Sequence, residues 1–474
     1  MINEQFQRKW YILAAVSTSA FMGTLDASIV NIALPTISKV FSVDIRTVSF
    51  IATSYLLVVT GFLIVAGRMG DIYGRKKVFI IGISIFTSGS FLCGISSSIV
   101  MLVGSRITQA FGGAMLAGNS AALITENSPI QERGKVLGVL GTVVAIGLSL
   151  GSPLGGIIIE HWGWRYIFWI NIPLGIAAAM ICVRMLPLVQ PNPNGEKLDI
   201  VGAFLLPLIL ALLILGINFM GRDGIAGFVF LVPLALSVML TIFFYHYEKR
   251  ATHPLVDFTL LFRTRFLFSN IAGFISYFSG VFVIILIPFY NEEILNLSAS
   301  NSGKVLLTLP LVGMFLAPLA GMISDRIGQR ILASGGLLIA TIGTSTLFSL
   351  KQSGSPGEVM LRLAIIGVGT GLFTTPNSSA IMGAIPVNQR GLASGMLATV
   401  RNLGLSLGVA ASTSLFSMWN RSMLIKIHTK AGAFLTAFDR VLVIAIAALV
   451  IGTILSFLRG NEAGNESESS AISK

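Results

Sequence analysis

Gly67-Arg68-Met69-Gly70-Asp71-Ile72-Tyr73-Gly74-Arg75-Lys76-Lys77 separates two apolar runs, 47–66 and 78–96. Nearly the same pattern returns at Gly321-Met322-Ile323-Ser324-Asp325-Arg326-Ile327-Gly328-Gln329-Arg330, again between apolar runs. Two further segments repeat in step. Gly147-Leu148-Ser149-Leu150-Gly151 recurs unchanged as Gly404-Leu405-Ser406-Leu407-Gly408, and Arg133-Gly134 recurs as Arg390-Gly391. The separation is nearly constant in all three cases. Matches in register over distant segments imply two homologous halves, and parallel duplicated halves with a site at their interface are a transporter architecture.

The apolar runs say what kind of halves these are. The chain has 474 residues, 54% hydrophobic and 11% charged, with a mean hydropathy of +0.85. A soluble globular chain carries roughly 25% charged residues and could not cover so apolar an interior. A helix needs about 20 apolar residues to cross a bilayer core of about 30 Å. By that measure the spans are 10–35, 47–66, 78–96, 99–125, 136–160, 163–186, 200–220, 225–246, 266–290, 302–323, 332–350, 359–381, 391–417 and 438–458. The expected fold is an all-α membrane protein of about fourteen transmembrane helices. Residues 1–186 form an N-terminal six-helix bundle, and 187–265 a linker with an inserted two-helix hairpin. Residues 266–459 form a C-terminal six-helix bundle, and 460–474 a polar, Ser/Glu-rich tail expected to be disordered and cytoplasmic. Fifty glycines suit closely packed membrane helices, because small residues let backbones approach.

Charge orients the map. Placing both termini in the cytoplasm puts most of the 32 Lys and Arg residues on the inner side, as cytoplasmic loops require. The excess charge is therefore topological, and a nucleic-acid partner is excluded, since no basic stripe is interleaved with aromatics. Trp10, Trp162, Trp164 and Trp419 fall near expected interfaces. Arg8 and Lys9 precede an apolar run too long for a cleavable signal. Cys93 and Cys182 lie in apolar runs, which argues against a disulfide framework or a metal site. Gly147 to Gly151 also fits a nucleophile-elbow pattern, but that pattern needs a strand–turn–helix context and here lies mid-span with no histidine deep in any span. No phosphate-binding loop or HExxH is present. An enzyme is not expected, and no cofactor is implied.

Asp26 is the one Asp or Glu deep within a span of this map. It lies about 24 Å along a helix from Trp10 at 1.5 Å per residue. A charge there costs at least about 2.5–3.5 kcal/mol, so such residues face a cavity or a partner. Asp26 reads either as a carboxylate that takes up and releases a proton or as half of an ion pair locking two helices. Arg106 lies about 10 Å down a helix of opposite direction, a depth that allows it to reach Asp26; helix stabilisation alone is the plainer alternative. Arg401, near the middle of its span, and Asn31 are candidate contacts for substrate or a counter-charge. In the 67–77 loop, Gly67 and Gly74 suit a tight turn while Asp71, Arg75 and Lys76 sit on the inner side, where the positive charges also serve topology. Gly147, Gly151, Gly155, Gly156 and Pro153 share one span. Such spacing permits close helix contact and proline permits a kink, so this face reads as ordinary packing or as a hinge.

These motifs together resemble the major facilitator superfamily, in particular its fourteen-span drug:proton antiporter branch, over nearly the whole chain. Leu25-Asp26-Ala27-Ser28-Ile29-Val30-Asn31-Ile32-Ala33-Leu34-Pro35 is similar to that branch's first-helix motif, with Ser28 where Thr is usual. The 67–77 segment resembles the superfamily's loop between spans two and three. Leu102 through Arg106 and Gln109 to Gly112-Gly113 resembles its fourth-span motif, with Ala110 replacing a usual Gly. Gly151-Ser152-Pro153-Leu154-Gly155-Gly156 resembles its fifth-span antiporter motif, with the proline one place late. Trp164-Arg165-Tyr166-Ile167-Phe168 with Asn171-Ile172-Pro173 resembles its sixth-span motif.

The resemblance implies proton coupling through Asp26 and Arg106, an interdomain latch at Asp71 and Arg75, and a hinge and seal at Gly147–Gly156. It implies exchange of protons for a small-molecule substrate, such as cationic or lipophilic drugs, across a plasma membrane by alternating access. Multidrug efflux is the expected use, with a dedicated metabolite exporter next to it; a receptor or scaffold that keeps the fold without transport is the alternative of a different class. The topology is directly testable. Reporter fusions should place the C-terminus in the cytoplasm and the Gly221-Arg222-Asp223-Gly224 turn outside; an external C-terminus or a twelve-span result would overturn the map.

Overall fold

The computed structural model describes residues 2–128, 133–186, 199–220, 228–250, 263–385 and 390–460. The expected turn at 221–224 and nearly all of the 460–474 tail lie outside the described residues, as does most of the linker ahead of the hairpin. Within them all regular structure is helical: α1 (Ile2–Phe41), α2 (Ile45–Tyr73), α3 (Arg75–Gly94), α4 (Ile99–Glu126), α5 (Arg133–Trp162), α6 (Tyr166–Trp169), α7 (Asn171–Met185), α8 (Ile200–Phe219), α9 (Leu231–Glu248), α10 (Thr264–Phe289), α11 (Ala299–Ile327), α12 (Gln329–Thr346), α13 (Pro356–Gly383), α14 (Arg390–Ile427) and α15 (Lys430–Leu458). Among the described residues, 13 helical segments are long and apolar enough to cross a membrane, with α6 and α7 forming one of them. The expected 391–417 span lies in α14, whose 38 residues reach well beyond the roughly 30 Å of a bilayer core but are diluted by Arg401, Arg421 and Lys426. The chain is an all-α multi-pass membrane protein, with the α8–α9 hairpin lying between α1–α7 and α10–α15 in sequence.

Helix ends follow polar caps rather than the edges of hydropathy. α2 starts where Asp44 Oδ1 accepts the Thr47 N–H at 2.9 Å, satisfying one of the donors a helix start leaves open. α13 starts with Ser355 as cap and Pro356 in its first turn, where a missing N–H is harmless. Asp199 caps α8 through the Gly202 N–H at 3.0 Å, and accepts the Tyr247 hydroxyl at 2.8 Å, tying the two ends of the hairpin together. The expected 163–186 span is interrupted at Ile170, so that a new helix begins at Asn171. Pro173, without an N–H, cannot continue the ladder across that point.

The chain forms two compact units. One holds α1–α9 with the Ile284–Leu307 and Val409–Met418 segments; the other holds the remaining parts of α10, α11 and α14 with α12, α13 and α15. In the first, α1 lies along α5, α4 packs on both α2 and α3, α7 packs on α1 and α3, and the hairpin joins through α2. Ile12, Met22, Phe79, Phe86 and Leu116 fill its core. In the second, α12 packs on α13 and α15. The internal repeat is visible in the backbone. Gly74 turns the chain from α2 to α3 with φ +93°, and Gly328 turns it from α11 to α12 with φ +89°. Each donates its N–H to a carbonyl four residues back, Gly74 to Gly70 at 3.0 Å and Gly328 to Ser324 at 2.9 Å. An L side chain is strained at such φ values.

Trp164 is buried, edge-on to Phe41 at 5.7 Å, while Trp162 is well exposed. Membrane helices associate by close packing rather than by escape from water, and the α3–α4 contact shows how close that is. A Cβ at Gly112 would lie 2.4 Å from Phe86 N and 2.5 Å from Gly82 O, whereas one at Gly104, on the same helix, would meet nothing within 4 Å. Gly112→Ala should therefore lower the thermal midpoint of the purified protein, by an overpacking cost of about 1–3 kcal/mol. Gly104→Ala should hold or raise it through helix propensity; equal midpoints for the two would refute the close contact.

Candidate functional site

Asp26 and Arg106 meet inside the first unit. Arg106 Nη1 lies 2.6 Å from Asp26 Oδ2, and both side chains are essentially without solvent exposure. Gln109, three residues beyond Arg106 and so on the same helix face, donates Nε2 to Asp26 Oδ1 at 2.9 Å and accepts Arg106 Nη1 at 2.5 Å. Asn171, the first residue of α7, donates Nδ2 to Asp26 Oδ1 at 2.9 Å. Gln109 Nε2 also donates to Ser90 Oγ on α3 at 2.7 Å, and Arg106 Nε donates to the Ile51 carbonyl on α2 at 3.3 Å. The guanidinium carbon stands 4.2 Å over the Tyr55 ring, a favourable face for a cation.

Five helices thus converge on one carboxylate. All of its contacts are donors, the pattern suited to an ionised, acceptor-only group. The chemistry available is charge exchange: a buried carboxylate beside a cation that stays protonated. Asn171 Oδ1 is buried and has no donor among the described residues, so the same amide holds an unused acceptor next to Asp26. Gln109 and Asn171 belong to the fourth- and sixth-span motifs, but the sequence does not assign them to the Asp26 site. The signals available were the one-turn spacing of Gln109 from Arg106 and the break at Asn171-Ile172-Pro173.

The 67–77 segment is held within the first unit. Arg75 pairs with Asp71 across the turn and reaches Glu126 on α4, Nε to Oε1 at 2.7 Å. Lys76 Nζ donates to the Leu186 carbonyl at 2.6 Å and the Val183 carbonyl at 3.0 Å, so it caps the open C-terminal carbonyls of α7. A Cβ at Gly67 would press on the Gly118 carbonyl of α4 at 3.3 Å, and one at Gly70 would overlap the Asn119 side chain.

The glycine face of α5 splits in two. Gly147, Gly151 and Gly155 lie on α1, where added Cβ atoms would strike Thr24, Ser28 and Ile29. Ser28 Oγ donates to the Leu148 carbonyl at 2.7 Å across that seam. Gly156 faces away from it, onto the Ala299 carbonyl and Ser300 at the start of α11. Pro153 and Ser152 abut Gly303 of the same helix, and α5 runs unbroken through Pro153. The repeat keeps the first of these seams in the second unit, where Gly404 and Gly408 lie on Phe274, Tyr277 and Phe278.

Asn31 and Arg401 are each half-buried and make no hydrogen bond or ion pair with another described residue; Asn31 does not join the Asp26 cluster, and Arg401 belongs to the second unit. Asp26 is not the sole acid within the spans. Asp439 lies in α15 and Glu292 in the span that ends at Ile294. Hydropathy closes that span at 290. The helix instead continues as a π-turn, Tyr290–Ile294, and Glu292 is buried.

Comparison with known proteins agrees with this architecture. The model of the Major Facilitator Superfamily matches residues 16–409 and 269–471. The riboflavin transporter RibZ of Clostridioides difficile (strain 630) is 34% identical over 457 residues, spanning 95% of this chain and 97% of its own length. Multidrug resistance protein Stp of Mycobacterium tuberculosis (strain CDC 1551 / Oshkosh) is 29% identical over 411 residues, spanning 86% and 76%. The inward-facing, unoccupied crystal structure of a bacterial homolog to the human lysosomal transporter Spinster matches with a TM-score of 0.71 at 16% identity, over 95% of this chain and 97% of that one; at that identity the likeness speaks for the fold alone. The chain belongs to the major facilitator superfamily and is a multi-pass membrane transporter of small molecules.

Proposed function

We propose that this protein is a proton-coupled antiporter that exports small organic molecules by alternating access, with Asp26 as the carboxylate that exchanges the proton. The observation that carries the reading is the burial of Asp26 with three donors around it, from Arg106, Gln109 and Asn171. A buried ion pair is a weak source of net stability, because desolvating both charges offsets most of their attraction. Intramembrane ionisable residues therefore point to function.

The steps follow from the donors present. Proton uptake neutralises Asp26 and turns one oxygen into a donor. Arg106 then loses its counter-charge, and the Asn171 amide can present Oδ1, buried and without a donor, to accept the new hydrogen. The positions of α4 and α7 relative to α1 are thereby tied to the charge on Asp26. In the same reading Arg75, held by Asp71 and Glu126, acts as the latch at the cytoplasmic end, both termini being cytoplasmic. The α5 glycines form the seam along which α1 moves.

For the substrate, likeness to Stp supports multidrug efflux. A second reading, a dedicated transporter of a vitamin or related metabolite, is favoured by the likeness to RibZ over nearly the full length of both chains. Transport of riboflavin and of a panel of lipophilic cations in the same everted vesicles separates the two.

Asp26→Asn keeps the size and most hydrogen bonds of the side chain but fixes it neutral. Gradient-driven uphill transport in everted vesicles at matched protein level should be lost. Substrate counterflow without a gradient should persist, which shows that the variant is folded. Asp26→Glu should retain partial uphill transport with a displaced pH optimum. Full uphill transport by Asp26→Asn would mean that the proton is carried elsewhere.

A further inference from the structure

Glu292 has an environment unlike that of Asp26. It belongs to the five-residue π-turn Tyr290–Ile294, in which the Leu295 N–H reaches back to the Tyr290 carbonyl at 3.1 Å. Such wide turns recur at functional sites. The Glu292 side chain is 6% exposed, and its one ion-pair partner among the described residues is Lys39 Nζ, 3.5 Å from Oε2 and on a side chain that is 59% exposed. The other carboxylate oxygen, Oε1, is buried and has no donor among the described residues. The adjacent Asn291 is fully buried, donates Nδ2 to Ser302 Oγ at 3.2 Å, and likewise has its Oδ1 without a donor. A structural salt bridge is expected to satisfy the lone pairs of a buried carboxylate; this one leaves half of them open.

The surroundings form a fastening. At the end of the first unit where α1 stops and α2 begins, two segments of the second repeat are held against α1, α2 and α5. Glu292 pairs with Lys39 of α1. The Ser300 N–H donates to Glu160 Oε2 of α5 at 3.3 Å. Arg46 Nη2 of α2 donates to the Ser414 carbonyl at 2.9 Å, and the Ser49 and Thr413 hydroxyls meet at 3.0 Å. Gly156 and Gly303 allow α5 and α11 to touch backbone to backbone. Other ionisable groups at this end include Glu293 and Tyr290 beside Glu292, Asp44, which accepts from Ser417 Oγ at 3.3 Å, Lys304 on α11, which donates to Asn301 at 3.2 Å, and His161 at the exposed end of α5.

Resting on the orientation and proton coupling proposed above, we infer that Glu292 is a second proton-exchanging carboxylate, and that its proton releases this outer fastening. Ionised, Glu292 needs Lys39 and holds Ile284–Leu307 against α1. Neutral, it has no charge for Lys39 to pair with, and the end can part. Lys39 lies about 20 Å along α1 from Asp26 at 1.5 Å per residue, so the two carboxylates are separate sites on one helix.

The test reads opening directly, without transport. Ser302 is fully buried and borders the fastening, and both native cysteines are buried. In a Ser302→Cys background, labelling by a membrane-impermeant maleimide applied from the outside, divided at each pH by the labelling of the same cysteine in denatured protein so that the loss of thiolate in acid cancels, should rise as the pH is lowered from about 8 to about 4.5, toward the ordinary carboxylate range. Added Glu292→Gln should give a high labelling ratio that no longer depends on pH. Lys39→Met, which leaves the buried acid in place, should raise labelling at neutral pH, and it serves as the test if Glu292→Gln does not fold. His161→Gln should leave the pH dependence in place. An unchanged pH profile in Glu292→Gln, flat labelling in the parent, or loss of the profile in His161→Gln would each overturn the inference. Because labelling needs no substrate or gradient, failure of proton-driven transport through Asp26 would leave this result standing or falling by itself.

Discussion

A carboxylate and a guanidinium without water around them set the terms for the first unit. Several kcal/mol of desolvation per ion must be offset by geometry, and here the offset needs side chains from three helices besides α1 and the backbone of a fourth. Arg106 and Gln109 come from α4, Asn171 from α7, Ser90 from α3, and a backbone carbonyl from α2. None of these contacts tolerates much displacement, since hydrogen bonds weaken steeply once distance and angle drift. The helix positions in this unit are therefore tied to one polar centre.

What lets so many helices reach one point is the lack of side-chain bulk elsewhere. α1 shows one face to α5, through Thr24, Ser28 and Ile29 against Gly147, Gly151 and Gly155, and another, through Asp26, to α4 and α7. On α4 the same division holds. Gly112 meets α3 at backbone distance, Gly113 sits against the Tyr55 hydroxyl of α2, and Arg106 and Gln109 point to Asp26. In a membrane, where apolar surface gains nothing by leaving water, such contacts supply the packing that holds the polar centre in register.

This division explains what the sequence could and could not reveal. The spans, the duplication and the pairing of Asp26 with Arg106 were legible, because hydropathy, repeats and depth along a helix survive in one dimension. Gln109 and Asn171 were not, since neutral polar residues are common in membrane helices and only packing decides which face inward. Asn31 makes the point: one turn and a half beyond Asp26, it is of the same type as Asn171 yet has no partner among the described residues. Glu292 was hidden for another reason. Hydropathy ends its span at a pair of glutamates, but the backbone continues through a π-turn and α1 supplies a lysine to cover one of them. Trp164 likewise has the composition of an interfacial anchor and the environment of a core residue, because Phe41 at the end of α1 closes over it.

The two buried carboxylates differ most in how fully they are satisfied. Asp26 accepts from three donors, and its cation is stacked on an aromatic ring. Any change there must rearrange several hydrogen bonds at once, and truncating one partner of such a pair costs about 3–5 kcal/mol. Glu292 has one contact at 3.5 Å to a lysine that is mostly in water, and an oxygen with no donor at all. Losing its charge would break a single contact of the kind that contributes about 0–1 kcal/mol when exposed, and would relieve an unsatisfied buried atom. A saturated network resists change until its charge is cancelled, whereas an under-satisfied pair lies close to balance between its two states. The physical asymmetry between the centre of α1 and its end is thus one of stiffness, set by how many donors each carboxylate has been given.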